Sequence, residues 1–228
     1  EINSIQYLYE TFYNTILISL VSAIIIIIIS SFLSIVSFYR LNKSTQFFVG
    51  LSATGYAFPG TILAIGILHF LAQIESTAQL FISGFIPYSN EVIVSGTIFV
   101  LIIAYLTRFN AVGFGSVTAG LEQIPQDLIS ASQILGKRFG SSVGAVLLPN
   151  LWPAILAGGL LLFVDIMKEL PLTLLLRPMD FETFATITYQ LAKSEMLEQA
   201  AYPALCIVVS GLIPVVIANI ALSKIAEK

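Results

Sequence analysis

Ser130-Ala131-Ser132-Gln133-Ile134-Leu135-Gly136-Lys137-Arg138 runs on, with nine residues between Gly136 and Val146, to Val146-Leu147-Leu148-Pro149. The stretch is polar and glycine-punctuated, and its reading depends on what flanks it. After Arg138 no charge occurs until Asp165, an interval of 26 residues (139–164). Three other intervals are of similar length: 29 residues at 11–39, 31 at 44–74 and 25 at 199–223. A helix needs roughly 20 mainly apolar residues to cross about 30 Å of hydrocarbon. One further interval, 92–107, has only 16 uncharged residues and reaches that length only by running past Arg108 through Phe109–Gly115.

Composition agrees. Mean hydropathy is +0.94, 57% of residues are hydrophobic and 10% are charged. Soluble domains carry about 25% charged residues, and a soluble chain of this size could not cover its surface with so few. The sequence predicts an all-α, polytopic transmembrane helical bundle with about five spans: Phe12–Phe38, Phe47–Ala72, Val92–Gly115, Leu151–Leu176 and Ala200–Leu222. A net charge of −3 gives no electrostatic footprint for nucleic acid. Cys206 stands alone in an apolar run and reads as a small core-like residue. His69 is the only histidine, so no His/Cys metal set is expected. The chain starts at Glu1 without a signal-peptide pattern, which gives the expectation of a longer native chain with helices before Glu1.

Orientation follows from the lysines and arginines of the short loops. Arg40, Lys43, Arg108, Lys137, Arg138, Lys224 and Lys228 fall on one side, and only Arg177 and Lys193 on the other. The first side is expected to be cytoplasmic, with the N-terminus outside and the C-terminus inside. Glu1, Glu10, Glu75, Glu91, Asp180, Glu182, Glu195 and Glu198 lie on the outer side. Ile24–Ile29 is apolar all round and reads as lipid-facing. Ala53-(x)3-Ala57, Gly55-(x)4-Gly60 and Ala154-(x)3-Gly158 offer small residues for close helix contact, and Pro59 and Pro171 should kink the second and fourth spans.

The segment between the third and fourth spans, about 121–150, has the parts of a lever. Pro125 suits a first helical turn and Asp127 its dipole. A short helix over Gln126–Leu135 puts Leu128, Ala131 or Ser132, and Leu135 on one side. Gly136 permits a sharp break, and a second helical piece from Lys137 reaches Leu148 before Pro149 and Pro153. Such an element can offer a small apolar ridge to a partner groove and pass rigid-body motion into its spans. On spacing alone, a passive amphipathic connector reads equally well.

The spacing resembles the EAA loop of binding-protein-dependent ABC transporter permeases, EAA-(x)3-G-(x)9-I-x-L-P, on which the ATPase subunit pushes. Ser130, Ala131, Ser132, Gly136, Val146, Leu148 and Pro149 occupy its positions. Ser130 replaces the family's glutamate, so no salt bridge to the ATPase is expected there. The resemblance narrows in Phe163-Val164-Asp165-Ile166-Met167-Lys168-Glu169-Leu170-Pro171-Leu172-Thr173-Leu174-Leu175-Leu176-Arg177-Pro178, in Phe181-Glu182-Thr183-Phe184-Ala185-Thr186, and in Arg108-Phe109-Asn110-Ala111-Val112-Gly113-Phe114-Gly115. These look like the C-terminal permease segment of ferric-iron ABC importers, from about Phe12 to Pro214.

The resemblance implies a MetI-like ABC type-1 permease domain over 1–228, one half of a longer fused permease, in the inner membrane. It implies a second permease half, a periplasmic binding protein and two ATPase subunits. No Gly-rich Walker sequence occurs here. ATP and Mg are therefore expected on the partner ATPase, with no cofactor and no enzyme activity on this chain.

Asp165, Lys168, Glu169 and Pro171 mark the fourth span. The three charges, at i, i+3 and i+4, share one helical face and read either as an ion-pair network or as a gate lining the path. An Asp165–Lys168 pair leaves Glu169 unbalanced unless Lys168 bridges both. Thiamine, polyamine or anion permeases are the alternatives within the class. An ion-coupled secondary transporter would instead show a midplane site of broken helices without a docking loop.

Overall fold

The computed structural model describes residues 2–39, 47, 49–50, 54–85, 94–125 and 127–226. Side chains are described for 6–39, 47, 49–50, 54–79, 94–125, 127–216 and 220. Among these residues the regular structure is helical. Arg40, Lys43, Ala53, Glu91, Val92, Gln126, Lys228, Glu1 and the side chain of Lys224, all used in the sequence reading, lie outside the described residues.

The first helix, α1, covers Ile2–Tyr39 without a glycine or proline to interrupt it. A helix satisfies its own backbone, which lipid cannot do, so the Ile-rich run stays helical despite its β-branched side chains. Then follow α2 (Gly60–Phe85), α3 (Ile98–Glu122), α4 (Asp127–Ile134) and α5 (Phe139–Ser142). A π turn (Val143–Leu147) joins α5 to α6 (Leu148–Met167), and α7 (Pro171–Leu176), α8 (Phe184–Lys193) and α9 (Leu197–Ala226) complete the chain. Five segments are long and apolar enough to cross a membrane: Gln6–Tyr39, Gly60–Gln79, Ile98–Glu122, Phe139–Met167 and Leu197–Val216. The chain is a multi-pass helical membrane protein.

The span count stands, but three boundaries move. The second crossing starts at Gly60 rather than Phe47, because Phe58 and Pro59 interrupt the helix before it. The third runs on to Glu122, which carries Arg108 into mid-helix. The fourth begins at Phe139, since the π turn just before Pro149 keeps the chain helical; Leu148 N–H reaches back to the Val143 carbonyl, and Asn150 Nδ2 donates to the Val146 carbonyl at 2.7 Å. Its C-terminal end breaks at Lys168–Leu170 before Pro171, so the proline opens a new short helix instead of kinking a continuous one.

The core is a triangle of α1, α3 and α6. α1 and α3 run parallel: Ser30 Oγ donates to Asn110 Oδ1 at 2.8 Å, and one turn on Ser34 Oγ donates to the Phe114 carbonyl at 3.2 Å. α6 runs antiparallel to both. A Cβ on Gly158 would lie 2.8 Å from Ser116 Cβ and 3.0 Å from Ile27 Cδ1, so the backbones approach as only glycine permits. Association inside lipid depends on such close packing rather than on a hydrophobic force. Ile26 and Ile27 are therefore buried while Ile24 and Ile28 face outward, which corrects the lipid-facing reading of this run. Cys206 is exposed rather than core-like.

Candidate functional site

Two regions carry the polar chemistry that such a bundle can spare. The first is the elbow between α3 and α6. Asp127 opens α4 at its dipole-favoured end. Ile129 and Ser132 face inward, and Ser132 Oγ is 2.9 Å from Ser142 Oγ, tying α4 to α5. Gly136 has φ +89°, a left-handed conformation costly for any residue with a Cβ, and nothing lies within 4 Å of where that Cβ would be. The elbow's tip is bare: Ile134 is 86% and Leu135 84% exposed. Of the expected ridge, Leu128, Ala131 and Leu135 face outward, as does Ser130, while Ser132, the alternative to Ala131, is turned inward. In the closing Val-x-Leu-Pro unit, Val146 is half-buried, Leu148 and Pro149 are exposed, and the intervening Leu147 is fully buried as the anchor.

The second region is a buried charge pair. Asp165 and Lys168 pair at 2.9 Å, with the Lys168 side chain 62% exposed. Glu169 does not join them. Its carboxylate lies 3.6 Å from Arg108 Nε, with the two side chains 8% and 18% exposed. The expected three-residue face therefore divides in two: the helix ends at Met167, and Glu169 turns inward to α3 while Lys168 turns outward. Arg108, counted from sequence with the cytoplasmic loops, is a mid-span residue, and the described members of that group reduce to Lys137 and Arg138.

Glu169 is fixed by α7. Its Oε1 accepts from Leu172 N–H at 3.2 Å, and its carbonyl accepts from Thr173 Oγ1 at 2.6 Å. Thr173 Oγ1 also lies 2.6 Å from the hydroxyl of Tyr105, which is 1% exposed. Gly60 roofs the pair: a Cβ there would overlap Arg108 Nη1 and fall 3.0 Å from Glu169 Oε1. Gly55 is tighter still against the backbone of Thr107. The sequence reading missed Arg108, Tyr105 and Thr173 as one site. A signal existed, because 16 uncharged residues at 92–107 are too few to span a bilayer, which forces the third helix through Arg108.

The run from Phe181 to Thr186 is a clip. Thr183 and Thr186 form a reciprocal capping box that starts α8. Phe184 N–H donates to Thr15 Oγ1 on α1 at 2.9 Å. Glu182 pairs with Arg177 and accepts from Thr186 Oγ1 at 2.6 Å.

The fold is shared with a chain of a bacterial ABC transporter. Over 96% of its length the chain superposes, with a TM-score of 0.78 and 15% identity, on 80% of a chain from a bacterial ABC transporter involved in the import of the acidic polysaccharide alginate. In sequence the chain is similar to the Fe(3+)-transport system permease protein FbpB 2 of Haemophilus influenzae, with 28% identity over 160 residues. That alignment takes in 70% of this chain and 28% of the relative. The resemblance read from the residues and this relative point the same way. No protein-family model matches the chain.

Proposed function

We propose that this chain is the transmembrane permease subunit of an ATP-driven ABC importer that moves ferric iron across the inner membrane. The observation that carries the reading is the elbow: an apolar tip, Ile134–Leu135, is held out from the bundle by a left-handed Gly136 and anchored at its base by Leu147. A monomer has no use for two such bare residues beside polar Gln133 and Lys137, whereas a groove on an ATPase would cover them. Ferric iron as the cargo rests on the likeness to the iron permease. In this reading residues 1–228 are one permease domain of a fused pair, ATP and Mg bind the two partner ATPases, and a periplasmic binding protein delivers the cargo. The elbow and the C-terminus are cytoplasmic and the N-terminus is outside.

The test is reconstitution with the ATPase and binding protein, followed by ATP-dependent uptake of radiolabelled ferric iron. Uptake driven by an ion gradient without ATP would instead favour a secondary transporter, the reading to which the broken helices at Phe58–Pro59 and Lys168–Leu170 lend support. For orientation, cysteines belong at Leu135 and at Met179, which is 96% exposed. They are expected to react from opposite sides of the membrane, and reaction of both from the outside would overturn the topology.

A further inference from the structure

Among the described residues the charge pair joins two broken spans, and its geometry is unfinished. Arg108 on α3 reaches Glu169 at the α6–α7 break, under Gly60 at the start of α2. The 3.6 Å separation is beyond the roughly 3.2 Å reach of an N–H···O bond. Among the described residues, buried Arg108 Nε and Nη1 have no hydrogen-bond partner. A buried guanidinium beside a carboxylate gains most when its fork is filled, and an unfilled buried donor calls for a reason.

We propose that Arg108 and Glu169 are a latch between the broken spans, half-closed in this conformation and closed in the other transport state. Arg108 is its positioning residue. Glu169 cannot close alone, because its carboxylate holds Leu172 N–H and its carbonyl holds Thr173, which in turn touches Tyr105. Closure therefore moves α7 against α3, with the Tyr105–Thr173 contact as the pivot. Gly60 leaves room for the guanidinium as it turns. Breaks in spanning helices are tolerated where protein packing covers them, and bistable packing turns a small shift into a switch.

The inference rests on the transporter reading and is tested in the complete reconstituted transporter, with Cys206→Ser and a reporter Tyr56→Cys. Tyr56 is exposed just before the α2 break. The measurement is the rate of maleimide labelling without nucleotide and with ATP and vanadate. The parent complex should show a ratio between states of at least about fivefold, the lower end of common coupling strengths. Arg108→Gln and Glu169→Gln should each bring that ratio to about one, and Arg108→Glu with Glu169→Arg should restore it. An unchanged ratio in either single variant overturns the latch. If the singles do not assemble, the swap must assemble and keep the ratio; a swap that assembles without it overturns the proposal. If the swap does not assemble either, Gly60→Ala, which leaves both charges, must lower the ratio, and an unchanged ratio overturns the latch. A parent complex that imports on ATP with no difference between states also refutes the latch while leaving the importer reading standing. Absence of any ATP-driven import refutes that reading itself.

Discussion

α2 and α3 are neighbours of nearly equal length, 26 and 25 residues, and both are rich in apolar side chains, yet they sit in the bundle very differently. Of the apolar stretch of α3, 39% is buried, against 6% for α2. The difference lies in their small residues. On α3, Gly113 faces Ser30 and Gly120 faces Ala154 at distances no Cβ could occupy, whereas on α2 Gly60, its first residue, meets Arg108 but Gly66, in the body of the helix, faces nothing within 4 Å. Apolarity alone does not bring helices together in lipid; shape does. α3 is thus a central member of the core, and α2 presents Ile62, Ile65 and Phe70 outward.

The charges of the two helices sharpen the contrast most. Arg108→Met on α3 strands buried Glu169 and should cost about 3–5 kcal/mol. Glu75→Gln on α2 keeps an oxygen for Val94 and Ser95 N–H, which the carboxylate now accepts at 2.5 and 2.6 Å, and should leave the melting temperature near that of the parent. Thermal unfolding in detergent, monitored by size-exclusion fluorescence, compares them. Equal losses would break the distinction between the helices. Lys168→Met should lose far less stability than Arg108→Met in the same assay, because Lys168 is mostly exposed and its ion pair is with Asp165, not with buried Glu169.

Next in size is overpacking. Gly158→Leu should cost about 1–3 kcal/mol against Ser116 and Ile27, and Gly66→Leu close to nothing. A Gly66→Leu loss as large as that of Gly158→Leu would show that α2 is packed in the folded protein after all.

Smaller in stability but larger in function is Gly136→Val at the elbow. The left-handed φ should cost about 1–2 kcal/mol. With open space around it, the strain is local, so the spans should insert normally while ATP hydrolysis loses its coupling to uptake. Normal uptake by Gly136→Val would remove the elbow from the mechanism. The smallest of the expected losses is at Thr15→Val, which removes the acceptor for Phe184 N–H and should lower stability by about 1 kcal/mol, more than the near-neutral Gly66→Leu and Glu75→Gln.

Much of this was legible in the chain. The charge-free intervals identified five crossings, and the spacing from Ser130 to Pro149 located a helix–glycine–helix element with the break at Gly136. What sequence could not supply was the pairing of charges. Asp165, Lys168 and Glu169 look like one face only if the helix continues through them. Leu170-Pro171 ends it, and a change of about one residue in where a helix stops rotates a side chain by roughly 100°. Arg108 was misplaced for the related reason that a single cation at the end of a short apolar run looks like a loop until a partner is seen across the bundle.

The sequence by itself determined the class of molecule. The cost of leaving backbone and charged groups in hydrocarbon is local, so length and composition suffice to mark the crossings. It also determined the elbow, because a left-handed turn is a property of one glycine and its neighbours. Only the tertiary structure decided which helices form the core and which charge answers Glu169. Those outcomes depend on backbones approaching closely enough to meet Gly113, Gly120 and Gly158, and on a carboxylate at 169 finding a guanidinium at 108. Contacts between residues so far apart in the chain leave no periodicity in a single sequence.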